Sequence, residues 1–463
     1  MKTGRAFGRE KAGLYIHIPF CVRKCIYCDF NSIPGCSQKL QSDYFEGLKR
    51  EISMFRESLS CLAEQDQSPG CMTDIDPGLY TERVFQEKQE IPFADTLFIG
   101  GGTPSAVDPA LVEDLLSHIL HPDSDIAENL RKTVRLLSDD AEITMEVNPA
   151  TVDPVSLRRY REAGVNRLSI GVQSFCDSEL KFLGRIHTSE EAEACFYDAR
   201  RAGFDNINID LIFGIPGSGS ESWRKTLQKA LSLRPDHLSF YSLQIEEGTP
   251  LYEMFRRDEA EQVSDEENRR MYHEAIRLLG EAGYCHYEIS NAALPGRECR
   301  HNLKYWSMCD YAGFGVSAHS YLQYPYDGIL DGIVKEDREN CTGKYEFHSG
   351  VRFCNEDGIS EYLDRILRGE KNIRGHIKPW HMYKNSLRDE ISETLFTGLR
   401  KREGISLSWF DERFEGTGVT FLDEFGQKMA SFIDEGYLIF DGQHLRFSIR
   451  GADISNYILS ELI

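Results

Sequence analysis

The sequence predicts an α/β fold: an incomplete (β/α)6 barrel related to the TIM barrel, followed by a small α+β C-terminal domain of the winged-helix type. Over roughly the first 245 residues, short apolar runs alternate with segments of helical periodicity, which is the pattern of repeated β-α units around a parallel sheet. Glycine-rich and polar motifs follow the apolar runs, at the strand ends where barrels of this kind place their chemistry. Both observations predict a ligand site along one rim of the barrel.

The predicted strands are the six apolar runs at residues 14–18, 96–99, 142–147, 167–171, 206–212 and 237–243. Helical patterns lie between them at residues 42–55, 109–120, 154–163, 189–202 and 220–231. Glycine follows two of these helices directly, as Gly164 and Gly203, which is typical of a left-handed C-terminal cap.

The rest of the chain changes character and predicts two further regions. A helical segment at residues 263–282 begins an extension. Two amphipathic helices at residues 387–400 and 421–435, followed by short strand patterns, resemble a winged-helix module. We therefore divide the chain into a barrel at residues 1–250, an extension at residues 251–375 and a C-terminal domain at residues 376–463. Stretches without periodicity at residues 59–92, 122–140 and 325–355 are predicted to be surface insertions or loops.

Composition and charge exclude several classes of protein. Apolar residues make up 41% of the 463 residues, which supports a large core and excludes global disorder. The formal net charge of −22 argues against a broad nucleic-acid-binding surface. The acidic residues of the C-terminal domain argue against DNA binding by that domain as well. The apolar stretch at residues 14–20 is short and interrupted, so neither a signal peptide nor a membrane span is expected. Most of the 13 cysteines are expected to be free thiols in a reducing cytoplasm.

Three cysteines carry the most specific signal, the C-x3-C-x2-C spacing of Cys21, Cys25 and Cys28 after the first strand. Three thiolates can hold three corners of a [4Fe–4S] cluster and leave the fourth iron open to another ligand. A structural zinc site would need a fourth protein ligand, normally from a second close pair, and no such pair matches. The spacing therefore predicts an iron–sulfur cluster with one open position.

This motif resembles the signature of the radical S-adenosylmethionine (SAM) superfamily, in which an aromatic residue before the third cysteine, here Tyr27, is typical. In that family SAM binds the open iron, and an electron from the cluster cleaves it to a deoxyadenosyl radical. The flanking Tyr15-x-His17-Ile-Pro-Phe-Cys21 resembles a narrower branch, which contains coproporphyrinogen III dehydrogenase and heme chaperones. The resemblance implies a radical SAM barrel with a [4Fe–4S] cluster and SAM as cofactors.

The resemblance also assigns the polar rim to SAM. Glycines at residues 100–102 would let backbone approach a ligand, although a tight turn explains a glycine run equally well. Without the resemblance, Glu146 would be interpreted as a surface carboxylate or a helix cap. The polar residues that follow it along the chain would be given structural roles. The residues to which the resemblance gives SAM contacts are Tyr15, Gly101, Gly102, Thr103 and Glu146, with Gln173, Arg185 and Asp210 assigned to a second SAM molecule.

Two features separate the members of this branch. The dehydrogenase pattern carries a fourth cysteine where this chain has Phe30, and it needs a longer N-terminal segment than the 13 residues that precede Leu14. The segment His301-Asn302-Leu-Lys-Tyr305-Trp306 matches an H-N-x-x-Y-W motif associated with the chaperones. A neutral imidazole can ligate heme iron and aromatic rings can stack on the macrocycle. A buried aromatic turn is the plainer interpretation, and His286, Cys299 and His319 are alternative ligands.

The sequence thus predicts a heme chaperone that carries a SAM-bound cluster and transfers heme to an acceptor hemoprotein, either soluble or associated with a membrane. The predicted location is the cytoplasm, with or without peripheral contact to a membrane. No nucleic-acid partner is expected, and a homodimer is left open. Two enzymes are the alternatives: an oxygen-independent coproporphyrinogen III dehydrogenase and a radical SAM methyltransferase. Whether the chain is an enzyme is likewise left open.

Overall fold

The computed structural model describes residues 10–65, 92–121, 134–323, 329–330, 349–368 and 379–463. Most of the three predicted insertions lies outside these residues. Where they overlap, the prediction was wrong: the first helix continues to Gln65, a strand begins at Leu137, and residues 351–354 form another strand. The reason is burial, since Leu59, Leu137 and Val351 all pack into the core.

The strands are β1 (Ala12–Ile18), β2 (Phe20–Cys21), β3 (Ile33–Pro34), β4 (Ala94–Gly101), β5 (Leu137–Val147), β6 (Arg167–Gln173), β7 (Ile207–Phe213), β8 (His237–Ser242), β9 (Cys285–Glu288), β10 (Asn291–Ala293), β11 (Tyr311–Phe314), β12 (His319–Leu322), β13 (Val351–Cys354), β14 (His381–Lys384), β15 (Ile405–Ser406), β16 (Leu438–Phe440) and β17 (His444–Phe447).

The helices are α1 (Gln38–Gln65), α2 (Pro109–Leu120), α3 (Pro154–Glu162), α4 (Asp177–Leu183), α5 (Ser189–Arg201), α6 (Ser220–Leu233), α7 (Pro250–Arg256), α8 (Asp265–Glu281), α9 (Arg300–Trp306), α10 (Ile359–Arg368), α11 (Leu387–Gly398), α12 (Leu407–Arg413), α13 (Phe421–Asp434), α14 (Ile449–Asp453) and α15 (Ser455–Leu462).

The described residues form one large mixed sheet of twelve strands, in the order β14-β13-β12-β11-β1-β4-β5-β6-β7-β8-β10-β9. Its centre, from β1 to β8 in that order, is parallel throughout. This confirms the predicted six-stranded incomplete barrel. On one side of this centre β11 pairs with β1 in parallel, and β12, β13 and β14 follow in antiparallel pairs. On the other side β10 and β9 are antiparallel. The boundaries assigned to the three domains stay predictions.

The two faces of the parallel strands differ in chemistry. One set of alternating residues, including Ile16, Leu97 and Leu168, is fully buried in the hydrophobic core under the helices. The other set faces the inside of the barrel and is polar: Thr96 pairs with Glu142, and Ser169 pairs with Asn208. Because residues alternate between faces along a strand, this pattern gives the barrel a polar lumen.

The C-terminal domain has its own apolar core, built around Leu395, Phe410, Phe425 and Leu445. Helices α11 and α13 and the antiparallel pair β16–β17 follow the predicted order, whereas α12 between them was not predicted. Buried Glu390 of α11 accepts hydrogen bonds from Tyr321 of β12 (2.9 Å) and Arg413 (2.8 Å), which fastens this domain to the edge of the large sheet. Within the described residues, none of the helices combines the length and apolar character that crossing a membrane requires.

Candidate cofactor site

The three cysteines of the motif lie in one loop at the carboxyl end of β1, each half-buried and with a free thiol. The short pair β2–β3 holds Cys21 opposite Pro34. Further along the loop, the Ile26 amide donates to the Leu183 carbonyl at the end of α4 (3.3 Å), and the Leu251 amide donates to the Ile26 carbonyl (2.9 Å). The loop is therefore anchored to the barrel at both ends.

Polar groups that follow β4 and α4 reach the cysteine thiols. The Thr103 hydroxyl lies 3.4 Å from the Cys21 sulfur. The Arg185 guanidinium donates to the Cys25 sulfur (3.6 Å) and to the Gly171 carbonyl (2.6 Å). Burial raises the pKa of the Cys21 and Cys28 thiols above their usual value. A cation beside these thiols favours the thiolate form that iron ligation needs.

The chemistry of this donor set fits an iron–sulfur cluster. Within the described part of the chain, no three His, Cys, Asp or Glu side chains are grouped closely enough to hold a single metal ion. A [4Fe–4S] cluster makes a different demand, because each of its cysteines binds a separate iron. Three thiols spread along one anchored loop, with a guanidinium beside Cys25, meet that demand.

The predicted glycine run packs against the base of the cysteine loop. Gly101 has φ +112°, and a Cβ atom there would lie 2.7 Å from the His17 ring. A Cβ atom on Gly102 would lie 2.9 Å from the Phe20 carbonyl oxygen. The Gly102 amide donates to the Ile18 carbonyl and the Thr103 amide to the Phe20 carbonyl, both at 2.8 Å. Side chains are thus excluded here because the backbone of the run approaches the cysteine loop.

Two carboxylates lie inside the barrel near this rim. Glu146 accepts a hydrogen bond from the Gly101 amide (3.2 Å), and burial together with the charge of Asp210 raises its pKa to about 8. Burial also raises the pKa of Asp210, against the hydrogen bonds it accepts from Ser169 (2.9 Å) and Asn208 (2.8 Å). Two enclosed carboxylates that oppose each other's ionisation favour a cationic ligand, and the sulfonium of SAM is a fixed positive charge.

The other predicted SAM contacts lie around these carboxylates. The Tyr15 hydroxyl is 3.0 Å from Nδ1 of His17, and burial and the charge of Glu146 raise the Tyr15 pKa. Gln173 ends β6 with φ +69°, a left-handed conformation that is uncommon outside glycine. A Cβ atom on Gly171 would lie 3.0 Å from the Gln173 amide nitrogen and 3.3 Å from the Arg185 guanidinium. The structure therefore brings the predicted residues together along one rim and the lumen below it.

His301 occupies the opposite end of the barrel. Helix α9 places its ring beside Gly13 and Thr96, near the amino ends of β1 and β4. Nδ1 lies 2.9 Å from the Thr96 hydroxyl and Nε2 lies 2.8 Å from the Tyr305 hydroxyl. Burial and the nearby cations Lys304 and Arg167 lower the His301 pKa to about 3. Heme ligation by His301 stays a prediction, and it would require one of these two hydrogen bonds to break.

The alternative heme ligands are distributed more widely. Cys299 is buried beside Glu142, close to His301. His286 is half-buried and lies 3.2 Å from the Ile289 carbonyl oxygen. His319 is exposed at the start of β12.

A second layer of the lumen was missed by sequence reasoning. The Asn208 amide donates to Asp210 (2.8 Å) and to Ser169 (2.7 Å), so its oxygen accepts from Nδ1 of buried His237 (2.6 Å). Nε2 of His237 then accepts from the Tyr287 hydroxyl (2.8 Å). Burial and Arg167 hold the His237 pKa well below its usual value, which keeps the ring neutral. In the sequence, the signal for this layer was the alternation of the polar residues Asn208 and Asp210 with apolar residues along β7.

Comparison with known proteins agrees with this architecture. Residues 15–230 match the Radical SAM superfamily, and residues 385–454 match the HemN C-terminal domain. "Heme chaperone HemW" of Escherichia coli (strain K12) is 37% identical over 377 residues, which is 81% of this chain and 82% of the relative. "Heme chaperone HemW" of Bacillus subtilis (strain 168) is 30% identical over 448 residues, or 95% and 98% of the two chains.

Among solved structures, coproporphyrinogen III oxidase (HemN) from Escherichia coli superposes with a TM-score of 0.68 at 21% identity. The match covers 98% of this chain and 90% of that chain. At this identity the likeness establishes the fold and leaves the activity open.

Proposed function

Because this chain belongs to the HemW family of radical SAM proteins, we propose that it is a heme chaperone, which binds heme and transfers it to an acceptor hemoprotein. The observation that carries the proposal is the likeness to proteins named heme chaperone HemW over most of both chains. Phe30, at the position where the dehydrogenase pattern carries a fourth cysteine, supports the same choice over the dehydrogenase.

Cys21, Cys25 and Cys28 would hold the [4Fe–4S] cluster, and SAM would bind at its open iron. A cluster of this kind supplies one-electron reducing chemistry when it is bound. The Arg185 guanidinium, 3.6 Å from the Cys25 sulfur, would lie beside this ligand of the cluster. Glu146 and Asp210 offer the anionic surface for the sulfonium, in their ionised forms. Gly101 and Gly102 keep the backbone of the rim against the loop that would carry the cluster.

The remaining SAM contacts are proposed at Tyr15, Thr103 and Gln173, which surround the same rim. We further propose a cytoplasmic location, because cluster thiols must stay reduced. The acceptor is proposed to be a hemoprotein, either soluble or at a membrane surface, and the chain works as a monomer or a homodimer.

The direct test is a titration of anaerobically reconstituted protein with heme, followed by the heme absorbance, with and without SAM. Near-stoichiometric binding is expected in at least one of the two conditions. A parallel assay with coproporphyrinogen III, SAM and a reductant should yield no protoporphyrinogen. Absence of heme binding in both conditions would overturn the chaperone, and formation of protoporphyrinogen would replace it with the enzyme.

A further inference from the structure

Three residues that can ligate iron lie in register across three neighbouring strands at the edge of the large sheet. His319 of β12 pairs directly with Cys354 of β13, and Cys354 pairs directly with His381 of β14. Directly opposed residues in antiparallel strands place their side chains on the same face, about 5 Å apart. His319, Cys354 and His381 therefore form one row, here named the edge row.

The sheet face that carries the edge row is covered at one end by the C-terminal domain and open at the other end, where the row lies. Both histidines are exposed and Cys354 is partly buried. One pair of residues further along the same face, Tyr321 and Arg352 are engaged by Glu390 and Glu393 of the C-terminal domain. The domain thus packs on one half of the face and leaves the edge row accessible to a ligand.

The edge row adjoins the cysteine loop. The Asn31 side chain, three residues after Cys28, donates to the Ser317 hydroxyl (2.5 Å) and to the Asp357 carbonyl (2.7 Å). Ser317 lies just before His319, and Asp357 lies just after Cys354. The Ser317 amide also donates to the Glu356 carbonyl (2.8 Å), which binds these two turns to each other. A ligand on the edge row would therefore sit next to the loop proposed to hold the cluster.

Apolar and cationic groups lie beside the row, at Trp380, and on the adjoining cysteine loop, at Phe30 and Lys24. Trp380 is 56% exposed, and its ring meets the His381 ring edge-on at 5.5 Å. Phe30 of the cysteine loop is 61% exposed, and the Lys24 ammonium donates to the Phe30 carbonyl (3.1 Å). Heme combines a flat apolar macrocycle with carboxylate side chains, so it can use aromatic rings and a nearby ammonium together. Of the adjacent acidic groups, Glu356 is paired with Arg365 (2.7 Å) and Asp357 accepts from Ser317 (2.6 Å).

We propose that the edge row is the heme site of this chain, with an exposed histidine, His319 or His381, as the axial ligand of the iron. The inference rests on the proposed function, which requires heme to bind, and it adds the place of binding. Within the described residues no three His, Cys, Asp or Glu side chains are grouped closely enough to hold a single metal ion, whereas heme iron takes a single donor on each face. An imidazole ligates in its neutral form, while the Cys354 thiol would first have to lose its proton.

Accessibility distinguishes the edge row from the α9 motif. His301 is 1% exposed and both its ring nitrogens are hydrogen-bonded inside the barrel. A chaperone must take up a ligand of heme's size and release it again. The edge row can do so without opening the barrel, and its position beside Asn31 gives the cysteine loop a direct route to influence the bound heme.

The test is a heme titration of cluster-loaded wild-type protein and four variants: His319→Ala, His381→Ala, the double variant, and His301→Ala. The exposed residue His121, after α2, provides a matched control as His121→Ala. We expect the double variant to bind heme about tenfold or more weakly, with a shifted Soret band. Added imidazole should restore the wild-type band in the double variant, which a purely structural defect would not allow.

The outcomes separate the two proposals. Unchanged heme affinity and Soret band in the double variant would overturn the edge row, and a loss confined to His301→Ala would return heme to α9. Failure of the wild-type protein to bind heme would overturn the proposed function itself, and the site with it. Circular dichroism of each variant verifies that the fold is retained. Because His121, His319 and His381 are exposed, their variants are expected to fold.

Discussion

Nε2 of His301 lies 2.8 Å from the hydroxyl of Tyr305, one helical turn away on α9. Together with the Thr96 hydroxyl on Nδ1, this contact closes the amino end of the barrel lumen with a neutral, hydrogen-bonded imidazole. Tyr305 packs edge-on against Tyr311 of β11, and the Arg400 guanidinium lies 4.4 Å over the Trp306 ring. The motif therefore joins the barrel, the extension and the C-terminal domain.

Replacing His301 with alanine should destabilise the protein by roughly 2–4 kcal/mol, because it leaves a cavity and two hydroxyls without their partner. Chemical denaturation of wild-type and variant proteins measures the difference. Tyr305→Phe is the matched control and should lose about 1 kcal/mol, since it removes one hydrogen bond and keeps the ring. Equal unfolding midpoints for His301→Ala and the wild-type protein would contradict this structural role.

The raised pKa of Glu146 makes stability depend on pH. Its value of about 8 in the folded protein exceeds the ordinary 4.5, so the folded state holds the proton more tightly than the unfolded state. Its contribution to stability is therefore complete below pH 4.5 and is lost as the pH rises towards 8.

Glu146→Gln removes this titration. Between pH 5 and pH 8, and without SAM, the free energy of unfolding of the variant should rise by roughly 2–4 kcal/mol relative to that of the wild-type protein. Urea unfolding at several pH values gives the difference directly. Parallel curves for the two proteins across that range would show that Glu146 ionises normally.

A methyl group at Gly101 should disturb the cluster loop. The position combines φ +112° with a Cβ atom 2.7 Å from the His17 ring, so Gly101→Ala adds both strain and a clash. Gly203 shares the strain, with φ +96°, but has no atom within 4 Å of its Cβ position. We expect Gly203→Ala to lose about 1 kcal/mol, and Gly101→Ala to lose roughly 1–3 kcal/mol more together with iron content after reconstitution. Equal iron content in both variants would refute the proposed coupling.

The neutral His237 ring should fix the orientation of the Asn208 amide, and through it the donor to Asp210. His237→Phe removes the N–H that holds the Asn208 oxygen, so the amide is free to rotate away from Asp210. SAM binding by cluster-loaded protein should weaken by about three- to tenfold, because the Asp210 carboxylate loses a hydrogen bond that stabilises its charge. Equilibrium dialysis measures the affinity.

His237→Gln retains an N–H donor and should bind SAM more tightly than His237→Phe. The Tyr287 hydroxyl bonds His237 and contacts neither Asn208 nor Asp210 in this hydrogen-bond chain. Tyr287→Phe should therefore lower the SAM affinity by a smaller factor. Indistinguishable SAM affinities for the Gln and Phe variants would leave His237 with a packing role alone.

The parallel strands and their helices were predictable because both are encoded locally. Helix α2, for example, has the predicted bounds, with Asp108 capping its first turn. The cysteine loop was predictable for the same reason, since three ligands within eight residues need no tertiary information. Strands β9 to β14 were not assigned to the same sheet, because each has only three or four residues and several pair with distant partners, as His319 does with Cys354.

The roles of single residues in the site depended on contacts across the chain. Arg185 reaches the sulfur of Cys25 from 160 positions away, a contact that no local pattern encodes. The burial of His301 depends on Gly13, which leaves room for its ring beside β1. The motif gives the residue types, whereas the tertiary packing decides whether the imidazole faces the lumen or a ligand.

Transfer of heme from this protein to an acceptor hemoprotein is the step on which the proposed function depends. The most direct measurement loads cluster-containing protein with one equivalent of heme, mixes it anaerobically with a heme-free acceptor hemoprotein, and follows the acceptor's Soret band with and without SAM. We expect the acceptor band to grow as the chaperone band decays in at least one of the two conditions. Heme that stays on the chain under both conditions would contradict the account.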